Sequence, residues 1–409
     1  MKKLLKHVNS CLLLMLIAAG ILIQQSCKKD TSSSTGTPVI TGIRNYVAHP
    51  GDSALTKVGT GLWVVISGRN LKGALQINFD GVAGSFNDVW FTDTSAIVLI
   101  PAVIAFPSVP AKQLNTIQYI TTHGQTTFSF PISPPAPKIA SISDEDALPG
   151  DSVKIYGFNF FFIKSVTFGG KAITSFTSSN DGTTIALVVP SGIPQTGGLV
   201  SVTTNSGSAT TIYNVEDFVD GVFQNWDAIN TYPWGSNTSN SSTNYPGNTG
   251  WYEVIGATNL PAGGTDWYDS PHSINMGASQ WVPVSAVNDT LANYAVKFEI
   301  SVSASTPWTN GTLYILANGN TTNMAAYNPW ETATGATVPF STKGWLTVTI
   351  PLSTFAVNNG AGGLPPSSIG ALVGPTGNTS MAFWFMNYTS SPVASFAAAI
   401  DNIRVVKIN

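Results

Sequence analysis

The sequence predicts an all-β protein: two short, related β-sandwich modules followed by one larger sandwich. Three observations carry this. Short segments of alternating apolar and polar residues recur between Gly and Pro turns, as packed antiparallel strands require. One ordered series of such segments occurs twice in the first half of the chain. Tryptophan is sparse in that half, with only Trp63 and Trp90, and dense after about residue 214. Composition agrees. Of 409 residues only 10% are charged and 11% are aromatic, and Gly and Pro are abundant. That is the profile of a turn-rich β protein. No segment shows a convincing helical period.

The first residues read as a secretion signal. Lys2, Lys3 and Lys6 precede an apolar run from Cys11 to Ile23. The run is shorter than the roughly 20 residues that span a bilayer, so it reads as the core of a cleaved signal peptide. Ser26-Cys27 follows, and Cys27 would be the only Cys left after cleavage. This resembles a lipoprotein signal. The resemblance implies that residues 1–27 form the signal and that Cys27 carries acyl chains, which anchor a protein stably when there is more than one. Residues 28–36 are polar and rich in Ser and Thr, as expected of a flexible tether. With so few Cys, neither a disulfide framework nor a Cys-based zinc site is available. Removing the three lysines takes the formal charge from −3 to −6, which disfavours nucleic acid as a partner.

The repeat is carried by matched pieces in the same order. Pro38-Val39-Ile40 matches Pro137-Lys138-Ile139, and Pro50-Gly51-Asp52-Ser53 matches Pro149-Gly150-Asp151-Ser152. The strand Val64 to Asn70 matches Val153 to Asn159, each ending Gly-x-Asn, where a positive φ is expected. Ile77 to Gly81 matches Val166 to Gly170. The first copy carries an insertion from Ala54 to Trp63. Together these pieces resemble the IPT/TIG family of immunoglobulin-like domains, over residues 37–134 and 135–214. The resemblance implies spacer modules, with Phe79, Phe168 and Tyr156 turned into cores and no glycan bound between Pro38 and Asn214. Pro134-Pro135-Ala136-Pro137 reads as a stiff junction.

Residues 215–409 read as a jelly-roll-like sandwich, with strands at Tyr294–Val302, Leu313–Ala317, Trp345–Ile350, Met381–Met386 and Ala399–Ile408. Aromatic rings cover the C–H faces of sugars, while amides and carboxylates bond the hydroxyls. Trp330, Trp308, Tyr327, Trp281, Trp267 and Trp251 sit among Gly, Asn, Pro, Ser and Thr, as do Trp234 and Tyr268. Exposed aromatics in loops point to a ligand. These residues are the expected glycan contacts, with Trp330 central and Asn328, Asn310 and Gln280 as hydroxyl partners. Trp345 lies in an alternating strand and reads as core, and Trp226 reads as packing. Trp384 falls on the opposite face of its strand from Phe383 and Phe385.

The order of lipoprotein signal, IPT/TIG modules and aromatic-rich sandwich, ending Ala399-Ile400-Asp401-Asn402-Ile403-Arg404-Val405, resembles the surface glycan-binding protein B family of outer-membrane lipoproteins. The resemblance implies non-catalytic capture of a polysaccharide at the cell surface, beside an outer-membrane glycan transporter. Few Lys and Arg in the last domain point to a neutral polysaccharide or oligosaccharide. The alternatives are an adhesin for another protein and a glycosidase. A glycosidase needs two facing carboxylates, and spacing picks out no pair among Glu253, Asp266, Asp269, Asp289, Glu299 and Glu331; Glu299 reads as solvent-facing. No cofactor is called for. A structural Ca²⁺ held by Glu216, Asp217 and Asp220 with Asp401 and Asn402 is weighed against solvated turn carboxylates.

Overall fold

The computed structural model describes residues 35–231, 237–248, 250–263 and 271–409. The chain divides into two compact units, Met1–Ser133 and Pro134–Asn409.

The first unit pairs two antiparallel sheets. One is ordered Val39–Asn45, Trp63–Arg69, Ser95–Leu99, Ser85–Phe86. The other is ordered Val82–Ala83, Ala74–Phe79, Thr116–Thr121, Gly124–Ser129. Alternation puts Val64, Ile66, Val98, Ile77, Phe79, Ile117 and Tyr119 between them, all fully buried. The inserted segment adds Val58–Gly59, which pairs in parallel with Ile132–Ser133.

The second unit begins with a copy of the same topology. Its sheets run Lys138–Ile142, Ser152–Phe158, Thr184–Val188, Phe176–Ser178 and Lys171–Ile173, Ile163–Phe168, Ser201–Thr204, Gly207–Thr210. The equivalence reaches single residues. The first strand of each copy is bulged, after Ile40 and after Ile139. The carbonyls of Val39 and Lys138 therefore press on the facing strand. A Cβ on Gly68 or Gly157 would lie 2.0 Å from that oxygen, so only glycine fits. Two residues on, Asn70 (φ 57°) and Asn159 (φ 61°) adopt the positive φ expected there. Each donates its side-chain amide back to the entering strand, to Thr37 O at 3.0 Å and Ala136 O at 3.1 Å.

Two sequence expectations are corrected here. Tyr156 is exposed, unlike the buried Phe79 and Phe168. The boundary at Val215 is displaced as well: Val215–Asp217 pairs with Thr196–Gly198, and Val215 packs in the core of the copy that precedes it.

The rest of the second unit is a two-sheet sandwich. One sheet runs Thr238–Ser239, Tyr252–Leu260, Val393–Lys407, Tyr294–Ser301, Leu346–Pro351, with Val222–Gln224 also paired to Val393–Lys407. The facing sheet runs Ser273–Gln280, Asn378–Met386, Thr312–Ala317, Met324–Tyr327, Val357–Asn358, Ala361–Gly362. Both contribute to one large core. A short helix, Ile369–Val373, is capped by Ser368 Oγ, which accepts from Ala371 N at 3.1 Å. Phe383 and Phe385 enter the main core, and Trp384 joins Tyr314, Leu316 and Met386 on the other side of its strand.

Candidate functional site

Three of the five described aromatics expected to meet sugar, Trp281, Trp308 and Trp330, are buried. Trp308 is enclosed by Phe396 at 4.7 Å, Tyr327 at 5.7 Å and Phe385 at 5.8 Å between ring centroids. Its indole N–H donates to the carbonyls of Asn310 and Gly311 at 2.9 and 3.1 Å. Trp330 is buried and donates to Gly311 O at 2.7 Å. Trp281 is buried between Phe223 and Phe355 and donates to Thr379 O at 3.1 Å. Tyr327 packs edge-on against Phe298 at 5.9 Å, partly buried against the core. Pro, Gly and Asn neighbours marked these positions as loops, and irregular chain is where Trp308 and Trp330 lie. Their rings turn inward, since a buried indole gains apolar contact and finds a carbonyl acceptor. Trp330, Trp308 and Trp281 therefore do not offer a face to a ligand. The expected hydroxyl partners are engaged as well. Gln280 Nε2 donates to Val282 O and Thr376 O, Asn310 Nδ2 to Ser391 O, and Asn328 Nδ2 to Glu331 Oε2.

Trp251 is the exception among the described candidates: it is 46% exposed. Trp267, like Trp234, Tyr268 and Cys27, lies outside the described residues. Trp251 directly follows Gly250, which lines a pocket of about 290 Å³ with Asn225, Asp227, Asn248, Trp345 and Asp401 among others. The pocket walls are held by short polar turns. Asn225 Oδ1 accepts from Ala228 N and Ile229 N. Asp227 Oδ1 accepts from Trp251 N at 3.0 Å. Asn248 Nδ2 donates to Asp401 Oδ2 at 2.7 Å, and Asn248 Oδ1 accepts from Gly250 N. A Cβ on Gly250 would sit 1.9 Å from Asp227 Oδ2, so the close approach of the two turns requires glycine. Trp345, expected in the core, is only partly buried and packs on Tyr252 at 5.4 Å. An aromatic wall, amides, carboxylates and an exposed indole at the rim are the groups a sugar ring engages.

Behind the pocket lies a buried ion cluster that sequence reasoning missed. Glu145, from the turn between Lys138–Ile142 and Ser152–Phe158, reaches Lys297 Nζ at 2.5 Å and Arg404 Nη2 at 2.8 Å. Arg404 Nη1 reaches Asp146 at 2.7 Å, and its Nη2 reaches Glu299 at 3.3 Å. Glu299, expected to face solvent, is buried, because the other face of its strand is covered by the preceding module and not by water. Thr347 Oγ1 bridges the two sides, accepting from Glu145 N at 2.7 Å and donating to Glu299. The Lys297 ammonium also lies 3.9 Å from the Tyr213 ring centroid, a cation–π contact.

The cluster is rich in carboxyl groups. Asp144, Glu145, Asp146, Glu216, Glu299 and Asp401 interact there with only Lys297 and Arg404 as cations. Burial, reinforced by the neighbouring carboxylates Asp146 and Asp144, raises Glu216 to about 8. Burial and then Asp146 raise Asp144 to about 7. Burial would raise Glu145 too, but Lys297 and Arg404 outweigh it and hold that carboxyl low. The calcium expectation does not hold as drawn. Asp217 Oδ1 caps the following turn, accepting from Val219 N and Asp220 N, and Asp401 is taken up by Asn248 and Asn402 N. Among the described residues, no three such side chains converge on a point that a metal ion would occupy.

Residues 216–407 match the family described as the surface glycan-binding protein B xyloglucan binding domain. An IPT/TIG domain-containing protein of Bacteroides ovatus is 27% identical over 225 residues, which cover 51% of this chain and 46% of that one. The chain thus spans about half the length of this curated relative. The crystal structure of the surface glycan-binding protein B of Prevotella bryantii superposes with a TM-score of 0.69 at 23% identity, covering 91% of this chain and 99% of that one, a likeness of fold. With its repeated immunoglobulin-like modules and a C-terminal sandwich whose residues 216–407 match this family model, the chain is similar to surface glycan-binding protein B.

Proposed function

We propose that the chain binds a neutral polysaccharide at the cell surface without cleaving it, and that its C-terminal sandwich holds the polymer at the rim carrying Trp251. One observation carries this: Trp251 is an exposed indole beside a polar, Trp345-walled pocket, inside the stretch that matches a glycan-binding family. That family's description names xyloglucan, which makes xyloglucan the first polymer to test. Trp267 remains a second contact in this reading. After Trp267 the described residues resume at Pro271, whose carbonyl accepts from Gly256 N at 3.1 Å, on the strand that Trp251 precedes. Carboxylates line the pocket, and each has a structural partner: Glu299 and Asp146 meet Arg404, Asp401 accepts from Asn248, Asp227 from Trp251 N and Asp144 from Asp146 N. Calorimetric titration of wild type and Trp251→Ala with xyloglucan tests the site. Equal affinity in the two would reject it.

The same reading places the protein on the outer membrane through a lipid on Cys27, handing its polymer to a glycan transporter. Cys27→Ala should move the folded protein from the membrane to the soluble fraction. Retention equal to wild type would reject the anchor.

A further inference from the structure

The first unit carries a line of exposed aromatic rings that its spacer role does not use. Nine tryptophans lie in the described residues, and only Trp63, Trp90 and Trp251 are exposed. Two of these three stand on the first unit. Tyr46, Trp63 and Trp90, exposed by 51%, 39% and 49%, follow one another with centroids 6.1 Å apart at each step.

Three local structures hold the rings in place. Trp63 opens the Trp63–Arg69 strand, whose next residues, Val64 to Ile66, are buried. Tyr46 lies just past the end of Val39–Asn45, where Asn45 pairs with Val64, so the two rings meet across the sheet edge. Asn45 Nδ2 fixes the turn after Tyr46 by donating to Gly51 O at 3.0 Å. Trp90 ends the short 3-10 turn Asp88–Trp90, capped by Asn87 Oδ1, which accepts from Val89 N at 3.1 Å. The next residue, Phe91, is buried and stacks on Phe86 at 5.2 Å. That anchor inside keeps Trp90 outside. The platform is built before any ligand arrives, so little ordering opposes binding.

We propose that Tyr46, Trp63 and Trp90 form a second carbohydrate-binding platform, for a short stretch of a neutral polysaccharide chain. The proposal rests on the reading of the whole chain as a polysaccharide binder and departs from the expectation that residues 38–214 bind none. The ring geometry favours a sugar chain over a protein partner. Neighbouring rings are inclined by 45° and 58°, which gives a stepped surface and not the flat apolar core of a protein interface. A mainly apolar cavity of about 510 Å³, lined by Val47, Leu55, Val58 and Leu62, opens beside Tyr46 and Trp63, with Asn45, Lys57 and Ser133 as its polar members. Its size is that of a small-ligand site, and it offers ammonium donors next to the ring faces. Arg44 is neutralised by Asp52 at 2.8 Å, so no free arginine fork calls for an acidic glycan.

The test uses the full chain in native gels containing xyloglucan or mixed-linkage β-glucan, and in calorimetric titration. Four forms are compared: wild type, W63A/W90A, W251A and the triple variant. W63A/W90A should weaken binding about tenfold, as loss of stacked area predicts, with an unchanged melting temperature. W251A should keep residual retardation that the triple variant loses. If W63A/W90A binds as wild type does while W251A abolishes all binding, the C-terminal site stands and this platform falls. If wild type binds neither polymer, both readings fall. If the double variant loses only its retention on phosphatidylcholine vesicles, the patch faces lipid and the proposal is overturned. Should W63A/W90A melt early, Trp90→Ala alone carries the same comparison, because Trp90 belongs to no strand.

Discussion

Trp308 and Trp330 donate their indole N–H groups to a single carbonyl, that of Gly311, at 3.1 and 2.7 Å. Gly311 adopts φ +77°, and a Cβ there would strike the Phe385 ring at 2.5 Å. The segment of Trp330 is thereby tied to that of Trp308 and Gly311 at one point beside the core. These tryptophans hold the fold together.

Trp330→Ala and Trp308→Ala are therefore expected to destabilise the second unit by roughly 3–5 kcal/mol, as truncated core aromatics do. Thermal melts would show it. Glycan affinity per folded molecule should be unchanged, and a stable Trp330→Ala protein with weakened binding would contradict this assignment.

Trp251→Ala should behave in the opposite way. An exposed ring contributes little to folding, so the melting temperature should stay within about 1–2 °C of wild type for a change of a few tenths of a kcal/mol. Xyloglucan affinity should fall by about 1–2 kcal/mol, the worth of one lost stacking platform.

The ion cluster predicts a pH dependence with a definite sign. Glu216 and Asp144 hold their protons to about 8 and about 7 in the folded chain, against about 4 when unfolded. Their contribution to stability is complete below the unfolded value and is lost as pH rises through 7 to 8. Glu145, held low by Lys297 and Arg404 once burial is overcome, acts in the other direction and weakens the fold only in acid. The melting temperature should thus decline between about pH 5 and pH 9. Glu216→Gln, which stays neutral throughout, should flatten that decline. An identical slope in the variant would show that Glu216 does not titrate with folding.

The paired glycines give a prediction that both copies must obey. Gly157→Ala and Gly68→Ala each place a methyl 2.0 Å from a backbone oxygen, and backbone yields only by moving a strand. Each should cost about 1–3 kcal/mol, the range of overpacked sites. Gly42→Ala, where a Cβ meets nothing within 4 Å, is the control and should melt close to wild type.

The repeat was legible because its signals are local. Gly68 with Asn70, and Gly157 with Asn159, mark a bulge partner and a positive-φ residue, and any copy of the motif needs them in order. The strands of the last domain were legible for the same reason: alternation between Phe383, Trp384 and Phe385 assigns faces without reference to other chain segments. What the sequence hid is non-local. Nothing near Trp330 says which way its ring turns, since its acceptor, the Gly311 carbonyl, lies 19 residues away; Trp308 finds its acceptors close by, but the Phe396 ring that covers it comes from elsewhere. Glu299 was misread by a sound rule. An alternating strand exposes its polar face only if no other module covers it, and here Glu145 and Asp146 cover it. Trp63 and Trp90 stand alone in a tryptophan-poor half of the chain, and their exposure follows only from which neighbours the fold buries.

The clasp between Glu145, Lys297 and Arg404 has a mechanical consequence. Parting the sandwich from the module before it would break together the ion pairs of Glu145 with Lys297 and Arg404 and of Asp146 with Arg404, and deleting one partner of such a buried pair costs several kcal/mol. The two therefore turn as one lever with no swivel at Glu216. If the proposed site holds, tension on a polymer bound at Trp251 would be delivered as torque to the sheet that contains Lys138–Ile142.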